Sequence, residues 1–209
     1  MLAAYAVRAD PVSPLDALVV GEIEPPSVPD GWVRVEVEAA GLNRHDLWSL
    51  HGVGLRADRL PMILGCDAAG VTDGGREVIV HAVINSPDFV GSDATYDPER
   101  SLLSERYPGT FATHVWVPAT NLVDKPSELS FAQAACLPTA WLTAYRMLFS
   151  QSAARPGDTV LIQGAGGGVS TALIALARQA GMRVWVTSRN EARARSGSRY
   201  IATNASLTQ

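Results

Sequence analysis

Residues 162–177 read "IQGAGGGVSTALIALA". Gly164, Ala165, Gly166, Gly167 and Gly168 are small enough to let the backbone approach a pyrophosphate, and the free N–H groups that open a following helix would face it. A glycine run alone is a weak signal. This one follows an apolar strand and opens a helix, and a second strand ends near Ser188, about 20 residues on. The strict G-x-G-x-x-G pattern fails at its sixth position, Val169. The plain alternative is a Gly-rich turn without a ligand. At the end of the second strand an acid accepts from a ribose 2′-OH, whereas a cation accommodates a 2′-phosphate. Ser188 is not acidic and Arg189 adjoins it, which favours NADP(H) over NAD(H). An Arg189 that merely caps a surface loop is the bland counterpart.

A second stretch, "MILGCDAAG" at residues 62–70, sets two metal-ligating residue types side by side in a chain with only two cysteines. Cys66 is a candidate metal ligand, a candidate nucleophile, or a small core residue beside a turn.

These residues need elements to hold them. The first 120 or so residues read as β-rich. "WVRVEVEAA" alternates Val33, Val35 and Val37 with polar partners, the mark of a half-buried strand. "REVIVHAVI" and "FATHVWVP" are further strands, with Pro and Gly punctuating between them. "GLNRHDLWSL" predicts a short helix. Residues 85–110 predict a surface loop with one helical turn around Arg100–Arg106. From about residue 123 the texture turns helical: "SELSFAQAACLPTAWLTAYRMLF" has Ser127 or Ser130 as its cap and Pro138 at a break between two helices. Strands at Thr159–Gln163 and Arg183–Thr187 with a helix between them then make one βαβ unit. The expected domains are 1–122 and 123–209.

Composition bounds the function. The chain has 209 residues, 47% hydrophobic and 18% charged, with 17 basic against 21 acidic residues and a net charge of −4. That suits a soluble globular protein and gives no nucleic-acid surface. Two cysteines make no disulfide framework, and the start has no basic region followed by a long apolar core. Thr159 to Ala177 is 19 residues without a charge, near the span of a membrane helix, but its glycines and β-branched residues favour strand, turn and helix. A reduced, cytoplasmic compartment, a small-molecule substrate and no membrane partner are the expectations.

The segments "VRVEVEAAGLNRHDL", "LPMILGCDAAGVT", "GTFATHVWVPATNLVDKP", "AACLPTAWLTAYRML" and "GDTVLIQGAGGGVSTALIALARQAG", in this order, resemble the medium-chain dehydrogenase/reductase superfamily, from residue 1 to about 193. The superfamily contains zinc alcohol dehydrogenases and zinc-free quinone oxidoreductases. The resemblance implies a GroES-like β-barrel domain followed by a Rossmann parallel-sheet domain. It places the family's three catalytic zinc ligands at Asn43, at Cys66 and near Thr139, with Asp67 in place of the usual Glu. One thiol, an amide and a hydroxyl make a poor zinc site, and residues 85–110 hold no cysteine for the family's structural zinc lobe. No zinc is expected.

The zinc-free relatives then serve as the template. They imply Asn43 and Thr143 near the nicotinamide, and Arg44 at a position that can touch the cofactor phosphates. Hydride would pass to a quinone, an enone or another activated carbonyl or alkene, with hydrogen-bond donors steadying the oxyanion. The Tyr that some relatives use as acid is missing from "SLHGVGL". His45 and His51 replace it by position and by a pKa near neutrality; a structural role is the alternative for each. Asp46 is expected to cap or brace the helix that follows it. No histidine is close to Cys66 in sequence, and a reactive thiol needs a base or a positive field. Cys66 is therefore expected to be a small wall residue, and Asp67 an acceptor for backbone N–H groups.

About 50 residues follow Val160, enough for one βαβ unit of roughly 30 residues and a short remainder. A full dinucleotide domain has six strands. From about residue 196 the text, "SGSRYIATNASLTQ", departs from the family. The Rossmann part is therefore expected to be incomplete: a fragment, a frame-changed product or a truncated paralogue. Its sheet should expose apolar surface, and hydride transfer by this chain alone should be weak. A homodimer is expected only of the complete sheet. The alternatives are a zinc-type alcohol dehydrogenase with altered ligands and a non-catalytic nucleotide-binding module.

Overall fold

The computed structural model describes residues 1–91 and 93–188. The first strands are β1 (Leu2–Ala6), β2 (Leu18–Glu22), β3 (Val33–Gly41) and β4 (Met62–Ile63). They are followed by β5 (Asp67–Thr72), β6 (Glu77–Val80), β7 (Val83–Ile84), β8 (Ser101–Leu102), β9 (His114–Val117) and β10 (Leu122–Asp124). Five strands pair antiparallel in the order β10-β6-β5-β3-β9, and β2-β1-β4 form a second sheet. The register shifts between Val37 and Ala39 of β3, and such an irregularity bends a strand and increases its twist. This is the GroES-like arrangement expected from the sequence.

Alternation decides which side chains fill the sheet's two faces. Val35, Ala68, Val78, Val80, Val115 and Val117 build one core, which also contains Cys66. Ala69 and Ile79 turn the other way and meet Ala134 and Ala135. Those alanines belong to or adjoin helix α2 (Phe131–Ala134), which packs on β3 and β5. Ser130 caps α2: its hydroxyl accepts from the Gln133 N–H at 3.3 Å, and the Gln133 side chain accepts from the Ser130 N–H at 3.0 Å. Because β10 and α2 are bound to this sheet, the first compact unit runs to Thr139 rather than stopping at residue 122.

One expectation changes in detail. The turn expected around Arg100–Arg106 is present, with the Glu105 and Arg106 N–H groups donating to the Leu102 carbonyl at 3.4 and 3.2 Å, but a strand leads into it. Ser101–Leu102 is a strand paired with Val83–Ile84, and Leu103 is fully buried behind it. The apolar pair Leu102–Leu103 is used for a strand end and a core contact, and a helix there would lose both. Pro138 lies, as expected, at the break after α2. It sits in a wide-turn stretch, Leu137–Trp141, that leads into α3 (Leu142–Tyr145); Pro lacks the N–H of a regular turn, and a local widening accommodates it.

The second unit begins at Ala140. Strands β11 (Thr159–Gln163) and β12 (Arg183–Thr187) pair parallel, Gln163 opposite Thr187, with α4 (Gly168–Gln179) between them in sequence. Ile162, Val184 and Val186 pack with Ile174 and Ala177 of α4. On the opposite strand faces, Leu161 and Trp185 are 62% and 46% exposed. Parallel strands are normally covered on both faces, so these two side chains are the exposed apolar surface expected of a sheet this small. Among the described residues no helix is long and apolar enough to cross a membrane.

Candidate functional site

Each compact unit carries a group of residues with chemical potential, and each is described within its own unit. In the first unit, helix α1 (Arg44–Leu50) starts at Asn43, whose N–H donates to Asp46 Oδ2 at 2.7 Å. This is the capping role expected of Asp46, and it fixes the first turn of α1. The chain reaches Cys66 through Gly65, at φ +96°, where a Cβ would lie 2.5 Å from Thr110 and Phe111 atoms. Only glycine fits there without a shift.

Asp67 accepts three hydrogen bonds from two segments. The Asn43 side-chain amide donates to Oδ2 at 2.8 Å. The Thr139 N–H and hydroxyl donate to Oδ1 at 3.0 and 2.6 Å. Asp67 is only 1% exposed. Burial raises its pKa, and the Thr139 and Asn43 bonds oppose that rise. The expected acceptor role holds, with side-chain donors added to the one backbone N–H.

The neighbouring residues make a different cluster. His45 Nε2 lies 2.8 Å from Glu105 Oε1, and His45 Nδ1 lies 3.2 Å from Cys66 Sγ. A carboxylate only accepts, so Nε2 carries a proton; in the neutral ring Nδ1 is then the acceptor. The Cys66 S–H also faces the Leu103 carbonyl at 3.5 Å. Glu105 packs so close to Gly54 that a Cβ there would sit 2.6 Å from Oε1. The Glu105 bond raises the His45 pKa against the opposing effect of burial. Burial, and then the charges of Asp46, Asp67 and Glu105, push the Cys66 thiol up. Asp46 is 6% exposed, and burial raises its pKa despite the Asn43 N–H and a weaker opposing effect of the Gly65 backbone. Asp46 Oδ1 is buried with no partner at hydrogen-bond distance.

The expectation that no histidine serves Cys66 is therefore corrected: His45, 21 residues away in sequence, is in contact with it. Glu105 was not singled out by sequence reasoning. Sixty residues separate it from His45, and no spacing rule joins a loop acid to a helix start. His51 stands at the other end of α1, its Nδ1 3.2 Å from the Pro11 carbonyl and its ring against Trp48. It makes none of the cluster's contacts. Arg44 is exposed on α1.

At the family's zinc positions, the Asn43 amide and the Thr139 hydroxyl both donate to Asp67. Each spends a donor on that carboxylate, and an amide and a hydroxyl beside the Cys66 thiol are a poor match to the family's zinc ligands.

The second unit carries the glycine turn. Gly164 and Gly166 have φ of +81° and +94°, in the left-handed region that glycine tolerates. The Gly164 and Ala165 N–H groups donate to the Thr187 carbonyl at 3.1 and 3.0 Å, which ties the turn to the end of β12. The Ser170 hydroxyl donates to the Gly164 carbonyl at 2.7 Å and accepts from the Gly167 N–H at 3.1 Å. A Cβ on Gly168 would lie 3.2 Å from that of Ala140. The first N–H groups of α4, from Gly168 and Val169 on, have no partner within the helix and lie beside a tightened glycine backbone. This arrangement fits a dinucleotide pyrophosphate. Ser188, at the end of β12, is buried, and Thr143 is exposed on α3. Arg189 and the tail from residue 196 lie outside the described residues.

The first unit is thus a GroES-like sheet, and the second holds a parallel βαβ unit with a glycine turn. Residues 29–127 match the alcohol dehydrogenase GroES-like domain. The chain is 32% identical over 199 residues to the crotonyl-CoA carboxylase/reductase of Cereibacter sphaeroides, covering 85% of this chain and 46% of that protein. Among solved structures it is similar to an NAD-dependent alcohol dehydrogenase, with a TM-score of 0.87 and 32% identity over 99% of this chain and 63% of that one. It is also similar to the quinone oxidoreductase of Thermus thermophilus, solved also with NADPH, with a TM-score of 0.75 and 28% identity over 99% and 60%. The chain belongs to the medium-chain dehydrogenase/reductase superfamily. It spans about half the length of the crotonyl-CoA relative.

Proposed function

We propose that the chain is the GroES-like and first nucleotide-binding part of an NADP(H)-dependent oxidoreductase of the zinc-independent reductase type. Its substrate class is a small quinone, enone or other activated carbonyl or alkene. The observation that supports this reading is that Asn43 and Thr139, at two of the family's ligand positions, both donate to Asp67. The similarity to an NADPH-binding quinone oxidoreductase supports the cofactor choice.

A bound cofactor supplies the hydride. The protein's share is to hold and orient. The N–H groups of Gly166, Gly168 and Val169 are assigned to the pyrophosphate, with Gly164, Ala165 and Gly167 shaping the turn. Ser188 and Arg189 read the ribose and its 2′-phosphate, and Arg44 and Thr143 are assigned to the cofactor as well. Asn43 spends one side-chain N–H on Asp67; the second is available to steady the substrate oxygen. Of the two histidines, His45 is the one we assign the proton, because Glu105 holds its charged form. The contact of His51 with Pro11 makes it the second choice. We assign the protein to the cytoplasm, with neither nucleic acid nor membrane as partner.

A fluorescence titration of the 209-residue protein with NADPH should saturate. Reduction of 1,2-naphthoquinone should be far slower than with full-length relatives. Absence of saturable NADPH binding would sink the cofactor assignment, and a relative-like rate would sink the expectation of weak turnover.

A further inference from the structure

The cluster around Cys66 brings three metal-ligating side-chain types together. Cys66 Sγ, His45 Nδ1 or Nε2 and a carboxylate oxygen of Asp46 offer ligand atoms that all lie within 4.8 Å of one another. Sγ and Nδ1 are 3.2 Å apart. Tetrahedral zinc, with its sulfur bond at about 2.3 Å and its nitrogen bond at about 2.0–2.1 Å, would set these two atoms roughly 3.5 Å apart. Asp46 is 6% exposed, and its Oδ1 has no hydrogen-bond partner. An ionised carboxyl oxygen buried without a donor is a costly arrangement unless a cation completes it. The fourth residue is Glu105, on the far nitrogen of His45 at 2.8 Å. A metal-ligating histidine almost always donates its other N–H to a carboxylate or carbonyl, which fixes the tautomer and directs the lone pair at the metal.

We propose that His45 Nδ1, Cys66 Sγ and Asp46 Oδ1 form a binding site for one divalent transition-metal ion of the zinc type, with Glu105 orienting His45. Sulfur and imidazole nitrogen select zinc or cobalt over magnesium or calcium. Three protein ligands leave a fourth position for water or a substrate oxygen. Only Cys66 is shared with the family's ligand positions; the other two of those, Asn43 and Thr139, are engaged with Asp67. The site shares His45 with the reductase reading, but its readout is metal binding and not turnover, so the two fail separately. It does bear on the proton: an ion on Nδ1 displaces any proton there, so the metal-loaded protein must take its proton from another group.

The test is a cobalt titration of the purified, chelator-treated 209-residue protein, followed in the ultraviolet and visible, with bound metal counted by mass spectrometry. One equivalent should saturate, with an intense sulfur-to-cobalt band and the visible bands of tetrahedral cobalt. The sulfur band should survive in Cys136→Ser and vanish in Cys66→Ser. Asp46→Asn should weaken binding by at least about tenfold, and Glu105→Gln by roughly 10–100-fold, as for other orienting partners. Asn43→Ala should bind like the parent. If the parent protein shows no saturable sulfur band, the proposal fails, whatever the variants do. If Asn43→Ala loses the metal as Asp46→Asn is expected to, the ion sits at the family's position and the proposal is overturned.

Discussion

Asp67 and Asp46 are both buried carboxylates, about 20 residues apart in sequence, and their surroundings differ sharply. Asp67 has three donors on its two oxygens. Asp46 has the Asn43 N–H on one oxygen and no partner at hydrogen-bond distance on the other. One carboxylate is complete without a ligand and the other is not. The chain builds the two clusters from adjacent residues: Asn43 and Asp67 go to the first, His45 and Cys66 to the second. Neighbouring side chains diverge at a helix start and at the beginning of an extended strand, so a step of one or two residues changes the cluster. Matching residues to a motif therefore does not identify a site; the count of satisfied hydrogen bonds separates the closed cluster from the open one.

This difference can be tested from its strongest consequence downward. Asp67→Ala leaves the Asn43 amide and the Thr139 N–H and hydroxyl without their acceptor in a buried place. It should cost roughly 3 kcal/mol or more, read as a lower denaturant midpoint. Asp46→Asn keeps an oxygen for the Asn43 N–H and removes an unpaired charge. The metal-free variant should stay within about 1 kcal/mol of the parent. Equal losses for the two substitutions would erase the distinction between the clusters.

A second contrast, between histidines, gives a smaller effect. His45 has a carboxylate partner and a raised pKa; burial alone lowers that of His81. A group whose folded pKa is depressed binds its proton more readily when unfolded. The contribution of neutral His81 is therefore full above the unfolded value of about 6.5, and it is lost as pH falls below it toward the folded pKa. His81→Gln should flatten the fall in stability on the acid side of about pH 6.5, measured by denaturant midpoints. An unchanged slope would mean that His81 is not the group responsible.

Local pattern made much of the frame legible. The β-branched alternation of Thr159–Gln163 and Arg183–Thr187 and the glycines between them predict the strands at the observed bounds, because strand period and turn chemistry act over a few residues. The short helix α1 within "GLNRHDLWSL" was equally readable, with Asp46 as its cap. The stretch around residue 100 was readable only in part: its turn was, but the strand Ser101–Leu102 leading into it is selected by the paired Val83–Ile84 and the core behind Leu103.

Sequence by itself determined the superfamily, the order of the two folds, the glycine turn, and the Asn43 and Thr139 that stand at two of the family's zinc-ligand positions. Those properties live in composition, periodicity and motif order. Tertiary structure alone decided that Thr139 and Asn43 close on Asp67, that His45 meets Cys66, that Glu105 reaches His45 and that Asp46 keeps an oxygen unpaired. Each of these is a contact between segments 21 to 72 residues apart, or, for Asp46, a donor that the fold does not bring. The strand register and the glycine at position 65 set those distances, and neither is written in the spacing of the residues they join.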